Sequence, residues 1–264
     1  MNTSQTARER ARAVLTSEIK DAARRQLAES GATGMSLRGV ARELGMVSSA
    51  LYRYFPTRDD LLTALIVDAY HALGDAAETA NAIVERTDLR RRWRDTCRAV
   101  RQWALANPHE YALIYGSPVP GYQAPQDTVA QAARVPLAMV GVLRDALAAG
   151  TLAEPDTGIM GVVLARQTAA LAATIAPELP ASVLIRALMA WSQLFGMISF
   201  ELFGQFVGSV DPAEQFFDHA VDLMATFIGL PKQAPQAPAP DVLGALFGDE
   251  PDGEADDGDA TRTA

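Results

Sequence analysis

An all-α fold is what this chain predicts, on three observations. Apolar residues recur at three- and four-residue spacing along nearly its whole length. No stretch keeps the two-residue alternation of a half-buried strand. Glycine, proline and asparagine interrupt the helical pattern where caps and turns are needed. The architecture expected is an N-terminal three-helix domain containing a helix-turn-helix, followed by a larger helical domain.

The first helix is expected over 6–30, with Leu15, Ile19, Ala22, Ala23 and Leu27 inward and its end near Gly31. Residues 36–55 then read as a helix-turn-helix. Leu37, Val40, Ala41 and Leu44 share one face of a short helix. Gly45 sits where the chain turns sharply and a positive φ is tolerated. Ser48 is expected to cap a second helix whose inner face is Leu51, Tyr54 and Phe55. That leaves Ser48, Ser49, Tyr52 and Arg53 pointing outward.

After the break at Pro56, Thr57 caps a long helix, with Asp59 and Asp60 in a first turn where the macrodipole favours acids. Its stripe is Leu61, Leu62, Leu65, Ile66, Ala69 and Leu73. The head is therefore placed at 1–58, with 59–86 as a linking helix. A second module follows over 87–230. Its helices are expected at 88–106, from Asn107-Pro108 through Tyr115, at 126–149 with a start or kink at Pro136, and at 157–175, 181–206 and 212–229. The 157–175 helix is almost wholly apolar and is expected to be buried. Residues 116–125, rich in Gly and Pro, form a loop. Residues 231–264, rich in Pro, Ala, Gly and Asp, cannot bury enough surface to offset chain entropy and are expected to be a disordered acidic tail.

A net charge of −9 argues at first against nucleic acid. Its distribution reverses that reading: the chain through Arg58 carries +5, the tail from Lys232 −6 and the remainder −8. A basic head on an acidic body is the asymmetry of a modular DNA binder. No stretch of ~20 apolar residues stands out as a membrane span, and no signal peptide follows Arg8, Arg10 and Arg12. With its single cysteine, Cys97, this suggests a cytoplasmic protein. His71, His109 and His219 lie far apart in sequence, so neither metal nor cofactor is expected. No phosphate loop, nucleophile elbow or paired acid/base group points to an enzyme.

The runs Leu44–Ser48, Leu51-Tyr52-Arg53-Tyr54-Phe55 and Arg58-Asp59-Asp60-Leu61-Leu62 resemble the TetR family of bacterial transcription regulators. The family's usual turn is Gly-Val-Ser, where this chain has Gly45-Met46-Val47-Ser48, and Arg58 replaces the usual Lys. The second module resembles a C-terminal subgroup of that family seen mostly in actinobacteria. The runs that carry this are Asn107–Tyr111, Gly116–Tyr122 and Trp191–Gly204.

By position, Val47, Ser48, Ser49 and Ala50 reach base edges in the major groove, with Tyr52, Arg53 and Tyr54 further along. Arg53 is the best candidate for a bidentate contact to guanine. Tyr54 suits the core better than a reading role. Ser36, Tyr52 and Arg58 suit phosphate contacts, positions where the resemblance implies them as well. The resemblance further implies a homodimer on palindromic double-stranded DNA and a small-molecule effector that releases it. Candidate effector residues are Trp103, Tyr111, Tyr115, Arg166, Gln167 and Trp191. A buried Arg166 would need Glu201 or a ligand carboxylate as partner. Candidate dimer residues are Leu188, Phe195, Ile198, Leu202, Phe216 and Met224. The alternatives are an effector-independent helix-turn-helix DNA binder and an all-α ligand-binding or adaptor protein without DNA binding.

Overall fold

The computed structural model describes residues 6–126, 128–154, 158 and 160–232, and among these the chain is helical with no strand. The expected acidic tail lies outside the described residues beyond Lys232. Among the described residues eleven helices follow one another: α1 (Ala7–Gly34), α2 (Leu37–Glu43), α3 (Ser48–Leu51), α4 (Arg58–Ala82), α5 (Leu89–Ala106), α6 (Pro108–Tyr115), α7 (Thr128–Ala132), α8 (Arg134–Ala148), α9 (Val162–Ile175), α10 (Ala181–Leu202) and α11 (Ala213–Phe227).

Two hydrophobic cores form, and α4 serves both. The head core gathers Ile19, Ala22 and Ala23 of α1, Val40 and Ala41 of α2, Leu51 and Phe55, and Leu61, Leu62 and Leu65 from the first half of α4. The body core begins at Leu73 and Ala77 on the same helix and continues through Trp93, Cys97, Tyr111, Leu143, Leu194 and Phe217. A rigid rod shared by two cores is the fold's main link between head and body.

Local chemistry explains the element ends. Thr57 accepts from the Asp60 backbone N–H while the Asp60 side chain accepts from that of Thr57, a reciprocal cap on α4. Gly31 adopts φ 68°, which breaks the last turn of α1 away from its axis. Asn107-Pro108 starts α6, with proline in the first turn where its missing N–H costs nothing. The expected 126–149 helix divides at Ala133 into α7 and α8, so Pro136 falls inside the first turn of α8 and does not start it.

The body is zipped by arginines. Along α5, Arg92 meets Asp145, Arg94 meets Asp222, Arg98 meets Asp218 and Arg101 meets Glu201, at 2.5–2.9 Å. These pairs tie α5 to α8, α11 and α10.

Two expectations about the body are corrected. The helix expected to be buried, α9, packs chiefly on α10 and buries only Thr168 and Ala172. Val162 and Val163 are exposed, and so are Arg166 and Gln167. Apolar composition alone does not distinguish a core helix from one that shows an apolar face. Second, α10 is long and apolar enough to cross a membrane by length and composition. Its length is used otherwise: residues from Val183 to Ile198 pack into the body core.

Candidate nucleic-acid interface and ligand cavities

The head presents its second short helix by a chain of local causes. Ser36 caps α2, its Oγ accepting from the Gly39 N–H at 3.1 Å. Gly45 turns the chain at φ 65°, and the Met46 N–H reaches back to the Ala41 carbonyl at 2.8 Å. Val47, not Ser48, occupies the cap of α3, with no side-chain hydrogen bond there. Ser48 is the first helical residue, so its hydroxyl is not committed to capping. The helix proper is one turn, extended by the turn through Tyr54, and Leu51 and Phe55 anchor it in the head core.

What is left outward is Val47, Ser49, Tyr52 and Arg53, all exposed, with Ser48 and Ala50 half-buried. Among the described residues Arg53, Arg38 and Arg42 form no ion pair, in contrast to the zipped arginines of the body. These three cations of the head, all exposed, are available to an external anion, whereas Lys20, Arg24 and Arg25 are paired with acids. Tyr54 is half-buried against the head core, and its ring receives the Arg12 guanidinium at 5.2 Å. Arg58 donates through Nε to the Met35 carbonyl at 3.1 Å and through its terminal nitrogen to that of Ala32 at 2.6 Å. It fixes the segment between the α1 break and Ser36, a positioning role that the sequence pattern alone does not reveal.

Head and body meet along α1, α4 and α6. Arg24 of α1 donates to Glu110 of α6 at 2.7 Å and to Asp68 of α4 at 2.7 Å. Lys20 also grips Asp68. Leu113, Val119 and Tyr122 from the body pack on the head core. The loop that sequence reading leaves irregular is therefore a strap across the junction.

The six candidate effector residues do not share one pocket. Tyr111 is fully buried, its hydroxyl donating to the Phe195 carbonyl at 3.0 Å and sharing a hydrogen bond with Ser199. Burial pushes its phenol pKa up, with the Ser199 hydrogen bond opposing. Tyr115 stacks on Phe195 with ring centres 4.1 Å apart and borders a cleft of about 620 Å³ between the α1 break, α6 and the end of α10. Trp191 borders a separate apolar cavity of about 200 Å³ between α5, α8, α9 and α10. Trp103 packs at the core margin. Arg166 and Gln167 point to solvent from α9, and Glu201 is already paired with Arg101, so the expected Arg166–Glu201 pair does not form.

The candidate dimer residues divide as well. Leu188 and Phe216 are exposed, whereas Phe195, Ile198 and Met224 are core residues and Leu202 packs against the core. The exposed apolar face comprises Met189, Phe200 and Phe203 on α10 and at its end, and Phe216, Leu223 and Phe227 on α11.

This arrangement, a short outward helix on a basic head joined to a helical body, matches known proteins at both ends. Residues 19–65 match the bacterial regulatory proteins of the tetR family. Residues 93–224 match the tetracyclin repressor-like C-terminal domain. Relatives described as HTH-type transcriptional regulators, Mb1846 of Mycobacterium bovis and Rv1816 of Mycobacterium tuberculosis, are 42% identical over 205 residues, covering 74% of this chain and 84% of theirs. The chain belongs to the TetR family. A TetR-family regulator is a transcription factor with a helix-turn-helix DNA-binding domain, not an enzyme, and the head described above is that domain. The solved structure of regulatory protein SCO4313 superposes with a TM-score of 0.67 at 38% identity, covering 84% of this chain and all of that one. A Rhodococcus sp. RHA1 protein of unknown function superposes at 0.59 with 26% identity, over 81% and 93% of the two chains.

Proposed function

We propose that this TetR-family regulator is a ligand-responsive repressor that binds a palindromic operator as a homodimer and leaves it when a small molecule occupies the helical body. The observation that carries this reading is the pairing of the head's exposed Arg38, Arg42 and Arg53, which form no ion pair among the described residues, with an exposed apolar face on α10 and α11. Met189, Phe200 and Leu223 are each more than half exposed. Apolar patches of this kind on adjacent helices mark interaction surfaces, and two helices from each of two copies make a self-complementary four-helix interface. On the same face Gly196 has nothing within 4 Å of a built Cβ, which leaves its backbone open to close approach.

A two-fold dimer sets its recognition elements about 34–36 Å apart, one DNA turn. Val47, Ser48, Ser49 and Ala50 then face base edges, and Arg53 takes a guanine edge through two N–H groups. Ser36 and Tyr52 supply phosphate contacts. Arg58 contributes chiefly by holding the segment before Ser36, and Tyr54 by supporting Tyr52 and Arg53 from below. Effector occupancy changes operator affinity only through different affinities for two head arrangements, and α4 with the α6 strap is the route between the sites.

Sequencing the genomic fragments that the purified protein retains tests this directly. A shared inverted repeat, bound at one dimer per site, is the expected result. Equal affinity for the repeat and for random DNA would sink it.

A further inference from the structure

The face of α1 that fills the head core continues past the edge of that core. Ile19 is fully buried there and Leu15 packs at its margin. At 3.6 residues per turn, Arg12 and Arg8 fall on the same side as these two, about one and two turns beyond Leu15. Arg10 falls about 160° round the helix from Arg12, on the opposite side. All three arginines are exposed, and none forms an ion pair among the described residues. Arg12 lays its guanidinium over the Tyr54 ring, 5.2 Å from the ring centre. Tyr54 directly follows Arg53, so this contact seats the start of α1 beside the outward short helix of the head. Stacking uses the face of a guanidinium and leaves its N–H edge free to donate.

A local cap holds this segment as helix. Thr6 Oγ1 accepts from the Glu9 N–H, and the Glu9 carboxylate accepts from the Thr6 N–H at 2.8 Å. The next cations along α1, Lys20 and Arg24, are spent on Asp68 and Glu110. The family pattern begins at residue 19. Residues 7–18, about 18 Å of helix, therefore lie outside it.

We infer that the start of α1 is a second DNA-contact element, in which Arg12 and Arg8 donate to backbone phosphates beside the groove that holds the short helix. Charge identifies the partner: phosphates line the groove edge densely, and two exposed arginines on one face of a rigid helix meet them without reading sequence. The inference uses the helix-turn-helix of the head. It goes beyond the operator, dimer and effector readings and depends on none of them.

Fluorescence anisotropy of the full chain on a random-sequence duplex of about three helical turns, titrated between about 50 and 200 mM salt, tests it. Each phosphate contact adds about 0.9 to the slope of log affinity against log salt. Arg12→Ala is expected to lower that slope by about 0.9 for each head engaged, and Arg8→Ala/Arg12→Ala by about 1.8. The double variant also binds roughly tenfold or more weakly at the low-salt end. Arg10→Ala removes the same charge as Arg12→Ala from the other side of the helix and is expected to change affinity by less than about twofold. Arg8→Lys/Arg12→Lys keeps both charges and restores the parent slope. Alanine is the strongest helix former, so the alanine variants keep α1 helical, which circular dichroism checks.

The inference is overturned if the parent does not bind the duplex, if Arg12→Ala and Arg10→Ala weaken binding equally, or if the double alanine variant keeps the parent slope. It is also overturned if the lysine pair behaves as the alanine pair does. Should the double variant misfold, the comparison of Arg12→Ala with Arg10→Ala still decides. Binding that depends on Arg8 and Arg12 but shows no preference for an inverted repeat leaves this contact standing and sinks the operator reading. A preference for the repeat that is indifferent to both arginines sinks the contact alone.

Discussion

The Tyr122 hydroxyl lies 2.9 Å from Thr63 Oγ1, and this single hydrogen bond joins the loop after α6 to the helix shared by the head and body cores. Both groups are part-buried, so neither is freely satisfied by water once the other is removed. Tyr122→Phe is expected to lower stability by about 1 kcal/mol. That corresponds to a fall of roughly 2–4 °C in Tm for a chain of this size. Thr63→Ala combined with Tyr122→Phe is expected to cost less than the sum of the single variants, which a double-mutant cycle of thermal melts measures. Full additivity would show that the two groups are not coupled.

Arg53 and Arg58 are five residues apart and predict opposite phenotypes. Arg53 is exposed with no ion-pair partner among the described residues. Arg53→Ala is expected to leave folding stability within about 0.5 kcal/mol of the parent and to weaken operator binding by roughly 1–3 kcal/mol. Arg58 holds the Ala32 and Met35 carbonyls, so Arg58→Ala is expected to lower Tm as well as DNA affinity. Thermal melts and gel-shift titrations on both variants separate reading from positioning. A stable Arg58→Ala that binds DNA weakly would transfer Arg58 to the contact surface.

Acid is expected to loosen the body zipper. The hydrogen bond from Arg98 holds the Asp218 carboxyl below its ordinary pKa, against opposing desolvation. At Asp145 burial pushes the pKa up, and the hydrogen bonds from Arg86 and Arg92 outweigh it, so its pKa is also lowered. A carboxylate depressed in the folded state contributes fully above its unfolded value near ~3.9. That contribution is lost as pH falls through the folded value. Tm is therefore expected to be level with respect to these two groups at neutral pH and to drop below about pH 4. Asp218→Asn should start with a lower Tm and fall less steeply in acid. Parallel pH profiles for the two proteins would remove Asp218 from the account.

Cys97 is buried at 0% exposure in the body core, and burial pushes its thiol pKa up. The thiolate is the reactive form, so native protein is expected to resist a thiol-specific disulfide reagent. Denaturant should release one reactive thiol per chain. Rapid labelling in native buffer would mean that α5 opens locally around this residue.

Much of the head was legible in the sequence because each of its features has a local cause. Gly45 marks a turn that needs positive φ, Thr57 caps a helix with Asp59 and Asp60 in its first turn, and the spacing of Leu37, Val40 and Ala41 sets one inner face. Arg58's grip on Ala32 was not legible, because it depends on the break at Gly31 bringing distant backbone into reach. In the body the helices were legible and their orientation was not. α10 carries apolar residues on more than one side, so periodicity admits two inward faces. Tertiary packing selects the one containing Leu194, Phe195 and Ile198. α9 shows the same ambiguity without any second polar face to resolve it. Four of the six effector candidates are aromatics, and only the fold separates Tyr111, whose hydroxyl is satisfied, from Trp191, whose N–H is not.

That choice of face makes the dimer separable from the core by substitution. Phe200 on α10 is 53% exposed and Leu223 on α11 is 58% exposed, whereas Met224, the next residue, is 2% exposed. Phe200→Glu with Leu223→Glu places charge on the proposed interface and leaves the monomer core intact. The pair is expected to sediment as a monomer, to retain helical circular dichroism, and to lose the tight binding to a palindrome that two linked heads provide. Met224→Ala instead cuts a cavity into the body core and is expected to cost about 2–5 kcal/mol, seen as a lower Tm. Its sedimentation at low temperature should remain dimeric. Sedimentation velocity on the two variants decides between the faces. A dimeric Phe200→Glu/Leu223→Glu protein would move the subunit contact elsewhere, with the exposed valines of α9 the next surface to charge.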